Sequence, residues 1–281
     1  MFTIIDMENK KDYSDWLIVS DIDGTLNNKK RQTPKVNTDA IREFVHENGG
    51  RFTLASARNV QSMKPHYEKL PQVKTPAIVM NGAGIYDYEK GQMLWFNSIK
   101  KSAIEIIQKS LSEFPFLEIG IFTSDMIYLV RPKILSPVMM MLDSLTHKKV
   151  KKIEEVPFSE WGKIIFFCLP NEKKKIRAFV SELIGDEHKL IDTTSMSFDL
   201  VDKNTDKGNA VKVLSELLGI DSENVAAIGD YYNDLDMLKS VKHPACAGQA
   251  PEEIREICEF KACHCNDGAV AELIEYIKQT Y

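Results

Sequence analysis

The chain alternates short, almost wholly apolar runs with longer stretches in which apolar positions recur every three or four residues. Trp16-Leu17-Ile18-Val19-Ser20 is the first such run, and residues 51–55, 76–80, 224–229 and 244–247 are similar. A strand covered on both faces of a parallel sheet needs this composition, because neither face meets water. Between the runs, residues 37–48 place Ile41, Phe44 and Val45 on one helical face. Residues 208–218 do the same with Val211, Leu214, Leu217 and Leu218. Gly49-Gly50 and Gly219 follow where a left-handed residue ends a helix. Strand, helix and strand in succession predict an α/β fold with a doubly wound parallel sheet as its core.

The middle third breaks that rhythm. Residues 85–96 alternate around Glu89-Lys90-Gly91 and predict a hairpin, and residues 118–130 predict a second one turning at Ser124-Asp125. Helical spacing over 98–114, 137–147 and 172–184, with strand-like stretches at 163–169 and 196–201, completes a mixed block. The simplest account is a smaller α+β domain inserted into the first. Residues 1–84 and 199–281 then form the core and residues 85–198 the insertion, with joints near Gly84 and Asp199.

Composition narrows the class. With 43% apolar and 27% charged residues among 281, the chain reads as globular. No apolar run reaches the roughly eighteen residues that a membrane span needs. The first fifteen residues lack the apolar core of a secretory signal. A cytoplasmic protein without a membrane partner is expected. The net charge of −5, with a single short basic run at 148–152, argues against nucleic acid as a partner; that run reads as a solvated face. Of the five cysteines, Cys168 and Cys246 lie in apolar stretches. Cys258, Cys263 and Cys265 surround His264, yet no CxxC pair occurs, so free thiols in a reducing compartment are expected rather than a zinc site.

The candidate chemistry begins at Asp21-Ile22-Asp23-Gly24-Thr25-Leu26, directly after the first apolar run. Carboxylates at i and i+2 of an extended chain project to the same side. Here they stand at the carboxyl end of a parallel strand, where ligands of doubly wound folds gather. Two carboxylates so placed repel each other unless a cation sits between them. Gly24 permits a tight turn, and the amides after it can face an anion. A calcium loop of the EF-hand type would continue with further acidic residues, whereas Asn27-Asn28-Lys29-Lys30 follows.

Residues 21–26 resemble the first motif of the haloacid dehalogenase superfamily of phosphotransferases. The resemblance implies that Asp21 attacks phosphorus and that Asp23 acts as general acid and base. The chemistry is consistent with it, since a carboxylate is a weak nucleophile that needs a metal to align it with a phosphoryl group. Ser56, in Leu54-Ala55-Ser56-Ala57-Arg58, matches the Ser or Thr of the second motif that bonds the phosphoryl oxygens; relatives usually read Thr-Gly-Arg there. Lys207, in Asp206-Lys207-Gly208, matches the third motif, a fixed cation for the transferring phosphate. Gly229-Asp230-Tyr231-Tyr232-Asn233-Asp234 resembles the fourth. It implies a magnesium site made by Asp21, the backbone carbonyl of Asp23, and Asp230, with Asn233 and Asp234 orienting waters and Lys207. Alone, each of these is a structural residue; four of them in order at the ends of apolar runs make coincidence a poor explanation.

The insertion follows Val79-Met80-Asn81-Gly82-Ala83, between the second and third motifs. Its place and size, together with the closing stretch Asn266-Asp267-Gly268-Ala269-Val270-Ala271, resemble the Cof-type branch, and the likeness runs from Trp16 to Ile277. It implies magnesium-dependent hydrolysis of a small phosphomonoester, a sugar, polyol or cofactor phosphate, through a phospho-aspartate. The insertion would serve as a lid that excludes water. Gly24, Thr25, Ala57, Arg58, Asn81 and Gly82 are the expected substrate contacts, and Tyr86, Tyr128 and Arg131 are further candidates from the lid. Two rival functions use the same residues. A sugar phosphomutase needs a second phosphate clamp, for which the insertion holds only Arg131 and Arg177. A catalytically idle phosphometabolite-binding or regulatory protein is the other, and the intact chemical residues argue against it. Neither the individual substrate nor the oligomeric state is specified by these residues.

Overall fold

A computed structural model describes residues 11–142, 144–158 and 160–281; the first ten residues of the expected core segment lie outside the described residues. The first apolar run forms β1 (Leu17–Ser20), buried throughout. Helix α1 (Lys35–Arg42) continues as a π-helical turn over Glu43–Glu47 and stops at Gly49, whose φ is +76°. The chain then forms β2 (Arg51–Leu54) and α2 (Val60–Tyr67).

The next three strands, β3 (Ala77–Val79), β4 (Gly84–Asp87) and β5 (Gln92–Phe96), make a small antiparallel sheet. Residues 76–80 resemble the parallel strands in sequence, but β3 pairs antiparallel with β4 and meets β2 through one bridge, Ala55 to Ile78.

A larger antiparallel unit follows: α3 (Ala103–Glu113), β6 (Glu118–Thr123), β7 (Ile127–Val130), α4 (Leu135–Leu142), β8 (Lys148–Val150), β9 (Trp161–Phe167), α5 (Pro170–Leu183), β10 (His188–Thr194) and β11 (Ser197–Asp202). Its sheet runs β10-β11-β9-β6-β7-β8, antiparallel except between β7 and β8. One face packs on α3 and α5, where Ile107, Ile176 and Val180 cluster with Phe166 and Phe198, whose rings stack at 4.9 Å. The opposite face presents Phe122, Ile165 and Phe167 to the main core, together with Met140 of α4. The basic run forms β8, an edge strand with Lys148 and Lys149 exposed, as an edge that must not recruit another strand requires.

The chain returns through α6 (Lys207–Leu218), β12 (Val225–Gly229), α7 (Leu235–Ser240), β13 (His243–Cys246), α8 (Glu252–Glu256), β14 (Phe260–Lys261) and α9 (Ala269–Thr280). The parallel sheet has the order β14-β13-β12-β1-β2. Ile18 faces the side that holds Ile41, Leu273 and Ile277, while Leu17 and Val19 face Val211, Leu214 and Met237. This two-residue alternation between two apolar layers explains why β1 carries no polar residue before Ser20. By sheet membership, β4 and β5 go with β3, and β11 runs on to Asp202, so the chain changes sheet after Phe96 and after Asp202. All five cysteines are free thiols. No helix among the described residues is long and apolar enough to cross a membrane.

Candidate active site

Neighbouring strands β1 and β12 run parallel, and from them the chain proceeds in opposite directions, to β2 on one side and to β13 on the other. Their carboxyl ends therefore flank a crevice that loops cannot cover. Asp21 leaves β1 there, its amide donating to the Ile228 carbonyl at 3.0 Å, and Asp230 leaves β12 beside it. Lys207 arrives from a third direction as the first residue of α6. The Asp206 side chain accepts from the Asn209 amide at 2.7 Å and so caps that helix. Gly82, at φ +92°, backs onto this turn, and a Cβ there would overlap the Asp206 carbonyl.

The three come together. Lys207, 1% exposed, donates from Nζ to Asp21 Oδ1 and to Asp234 Oδ1, each at 2.6 Å. The second Asp234 oxygen accepts the Asp230 amide at 3.0 Å and the Tyr231 amide at 3.2 Å. Burial pushes the Asp21 carboxyl well above its ordinary range against the opposing charge of Lys207, with Asp234 and Asp230 pushing the same way. Burial alone would lower the Lys207 ammonium, but Asp21 and Asp234 outweigh it and hold the group protonated.

Asp230 is held in a second cradle. Thr25 Oγ1 donates to Oδ1 at 3.3 Å, and Gln249 Nε2 lies 3.3 Å from Oδ2 and 2.5 Å from the Gly24 carbonyl. Gly24 has φ +89°, and a Cβ there would overlap the Asp230 carboxylate. Burial raises the Asp230 pKa, and Asp234 adds to the effect.

Asp21, Asp230 and Asp234 each offer an oxygen, all within 4.8 Å of one another. Three carboxylates against one ammonium leave a surplus of negative charge in a buried place. The Asp234 oxygens are held at 2.6 to 3.2 Å, whereas those of Asp230 meet only the 3.3 Å contacts of Thr25 and Gln249, so Asp21 and Asp230 are the pair whose repulsion a cation would relieve, and hard oxygen donors of this kind fit a hard divalent ion. The Asp23 carboxylate is turned elsewhere: its Oδ2 pairs with Arg58 Nη2 at 2.6 Å.

Ser56 is buried at the end of β2. Its carbonyl accepts the Asn81 amide at 2.9 Å, and its Oγ lies 3.4 Å from the Arg58 amide. Asn81 has φ +56°, and its buried Oδ1 has no hydrogen-bond partner among the described residues. Such strain in a non-glycine residue is held only where the surroundings over-determine it. Ala57 and Arg58 line a cavity of about 230 Å³ that also touches Phe122, Lys163, Ile165 and Asp199 of the antiparallel sheet. The expected residues thus converge from four loops, with exceptions. Asn233 is exposed and makes no hydrogen bond to Lys207, whose Nζ bonds only Asp21 and Asp234 among the described residues. Tyr86 packs edge-on against Tyr88, Tyr128 lies under Lys148, and Arg131 donates to the Leu111 carbonyl at 3.0 Å, so none of the three lines this cavity.

Three residues of the site escaped the sequence reading. Gln249 stands one residue past Gly248 after β13, and the rule that strand ends carry chemistry could have flagged it. Lys163 and Asp199 interrupt apolar strands, a polar break whose partner is invisible until β9 and β11 are paired.

Comparison with known proteins bears on the fold and the family. The phosphatase YwpJ of Bacillus subtilis is 26% identical over 93% of this chain and 99% of its own length. A haloacid dehalogenase-like hydrolase from Bacteroides thetaiotaomicron superposes with a TM-score of 0.82 at 22% identity, covering 93% of this chain and 99% of that one. A sugar phosphatase of subclass IIB of the same superfamily gives 0.75 at 16% identity, over 94% and 99%. The family model of haloacid dehalogenase-like hydrolases matches residues 18–274, and with a parallel core, an antiparallel insertion and acidic strand ends all in place, the chain belongs to that family.

Proposed function

We propose that the chain hydrolyses a small phosphomonoester, a sugar, polyol or cofactor phosphate, with magnesium and through a phospho-aspartate on Asp21. The observation that carries this reading is the 2.6 Å bond between Lys207 and Asp21, residues 186 positions apart, with Asp230 alongside. The geometry supports the following roles. An oxygen of Asp21 attacks phosphorus as the bond to the leaving oxygen breaks, and Asp23 gives that oxygen a proton. Water then attacks the phosphorus of the acyl phosphate, Asp23 takes up its proton, and the bond to Asp21 breaks to release inorganic phosphate. Arg58 fixes the Asp23 carboxyl through Oδ2, leaving Oδ1 to carry the transferable proton. Lys207 and the Ser56 hydroxyl stabilise the charge that develops on the phosphoryl oxygens.

Asp21, Asp230 and the Asp23 carbonyl would hold the magnesium ion, and Asp234 keeps Lys207 aimed at Asp21. When bound, the ion supplies charge screening and Lewis acidity at the phosphoryl group. The antiparallel unit, taken to begin after β5 and to end at Asp202, acts as the lid. Cytoplasmic residence belongs to the same reading, with the free thiols in its favour. The phosphomutase alternative lacks its second phosphate clamp, because Arg131 is committed to Leu111 and Arg177 to Asp192.

Asp21→Asn removes one charge and little volume. It should abolish phosphate release while leaving the circular dichroism spectrum unchanged, and chelation by EDTA should stop the wild-type enzyme until magnesium is restored. Substantial turnover by the folded variant, or indifference to EDTA, would sink the reading.

A further inference from the structure

One side chain to which the chemistry above gives no part joins the loops of the site. Gln249 lies just past β13 and is half-buried beside Asp230. Its Oε1 accepts the Cys265 amide at 3.1 Å. Only the oxygen of a side-chain amide can accept, so this contact fixes which way the group faces and leaves Nε2 to donate on the other side. There Nε2 meets two acceptors, the Gly24 carbonyl at 2.5 Å and Asp230 Oδ2 at 3.3 Å. The loops that follow β1, β12, β13 and β14 therefore meet at a single amide group.

The backbone that carries Gln249 is itself clamped. The Gly248 amide donates to the Cys263 carbonyl at 2.8 Å, the Gly248 carbonyl accepts from Arg255 Nη1 at 2.8 Å, and the Ala250 amide donates to the Ala247 carbonyl at 2.9 Å. A Cβ at Gly248 would crowd the backbone of residues 262–264 at 3.0 Å. A side chain reaching out from so fixed an anchor sets the direction of the carboxylate it meets, while Thr25 Oγ1 meets the other Asp230 oxygen at 3.3 Å. The chemistry of the donor matters as well. An ammonium in this place would neutralise Asp230 and compete with a metal ion for it, whereas an uncharged amide orients the carboxylate and leaves its charge for the ion.

Resting on the reading of a magnesium-dependent phosphatase, we propose that Gln249 is a positioning residue of the metal site. It keeps Asp230 within reach of Asp21 and pins the Gly24 turn, so that two carboxylates that repel each other stand ready for one ion. Its contribution falls on the binding of magnesium, since it touches neither Asp21 nor Lys207 by any hydrogen bond among the described residues. A glutamine that served only to dock residues 263–265 on the core would affect stability and leave the affinity for the ion unchanged.

The test is a calorimetric titration of magnesium chloride into the whole chain, freed of metal with EDTA and then of EDTA. Gln249→Met keeps the length and removes both polar atoms, and Gln249→Asn keeps the amide but falls one methylene short of its partners. Each should raise the Kd for magnesium at least about tenfold, the usual cost of losing a group that orients a metal ligand. The magnesium concentration giving half-maximal phosphate release from p-nitrophenyl phosphate should rise by the same factor, with the KM for the ester at saturating magnesium little changed. A folded variant that binds magnesium as the wild type does overturns the proposal, whatever its stability in urea. If Gln249→Met does not fold, Gln249→Asn decides, and failure of both to fold assigns Gln249 to the packing of residues 263–265 and overturns the proposal too. A wild type that takes up no magnesium and is indifferent to EDTA is a different result: it overturns the magnesium reading itself, and this inference with it.

Discussion

At the ends of the parallel strands, Lys207 Nζ lies 2.6 Å from two carboxylates, and both oxygens of Asp234 are bonded. In the antiparallel sheet the contact is looser, with Lys163 Nζ 3.3 Å from Asp199 Oδ2. Both lysines are buried, and both carboxylates beside them are pushed up by burial against the pull of the lysine. The difference lies in charge and distance. The first cluster is tightly paired among its own groups and still over-negative, an imbalance that the proposed cation would relieve. The second sets one ammonium against one carboxylate at a longer distance. Buried ion pairs are weak evidence of stability.

Removing the cation of the first cluster should have the largest effect. Lys207→Met leaves Asp21 and Asp234 buried and unpaired, which costs about 3–5 kcal/mol of stability in a urea titration. Phosphate release should fall by at least about 10³-fold with the loss of a charged group facing the transferring phosphate. A variant that unfolds like the wild type would show that the cluster is not the tightly coupled unit its distances suggest. Gly24→Ala should come next. Its Cβ displaces the Asp230 carboxylate, and a misplacement of about 1 Å in an active site lowers kcat/KM by about 10²-fold.

A third buried charge gives the comparison a control. Glu118 on β6 accepts hydrogen bonds from the amides of Lys133, Ile134, Leu135 and Ser136 and from the Ser136 hydroxyl. It thereby holds the start of α4, whose Met139 and Met140 line the cavity that Ala57 and Arg58 share. Burial raises its pKa, but the Ser136 hydroxyl and the backbone donors bring it below the ordinary glutamate value. A carboxyl lowered in the folded state contributes stability that is complete above its unfolded pKa and disappears as pH falls through its folded pKa. Glu118→Gln should cost about 1–3 kcal/mol at neutral pH, the usual value of hydrogen bonds to a charged group. The difference from wild type should shrink in acid denaturation curves, and a constant difference down to pH 3 would mean that Glu118 is not the group titrating.

The smallest effect on stability is expected from the double change Lys163→Met with Asp199→Leu. Replacing a buried ion pair by apolar side chains of similar volume is often neutral or stabilising, so its unfolding midpoint should match or exceed that of the wild type. A loss as large as that for Lys207→Met would make the two pairs equivalent and remove the contrast.

Much of this molecule is written locally in the chain. The strand runs, the helix stops at Gly49 and Gly219, and the sequence Asp21-x-Asp23-Gly24-Thr25 all act over a few residues, because burial on two faces, left-handed caps and tight turns are short-range requirements. That is why residues 17–20, 51–54 and 225–229 are strands in both readings. The polar edge strands β8 and β10 were not legible, since half their side chains face water and leave no apolar run. The antiparallel pairing of β3 was hidden for another reason: an apolar run does not say which neighbour it will meet.

Only the assembled fold decided which charges meet. Asp23 is engaged by Arg58 and Asp230 by Gln249, while Lys163 finds Asp199 across two strands. Each of these contacts joins residues whose separation along the chain carries no periodic signal, and their strength comes from water excluded by parts of the protein far away in sequence. A buried charge acquires its meaning from its surroundings, and those exist only after the sheets have packed.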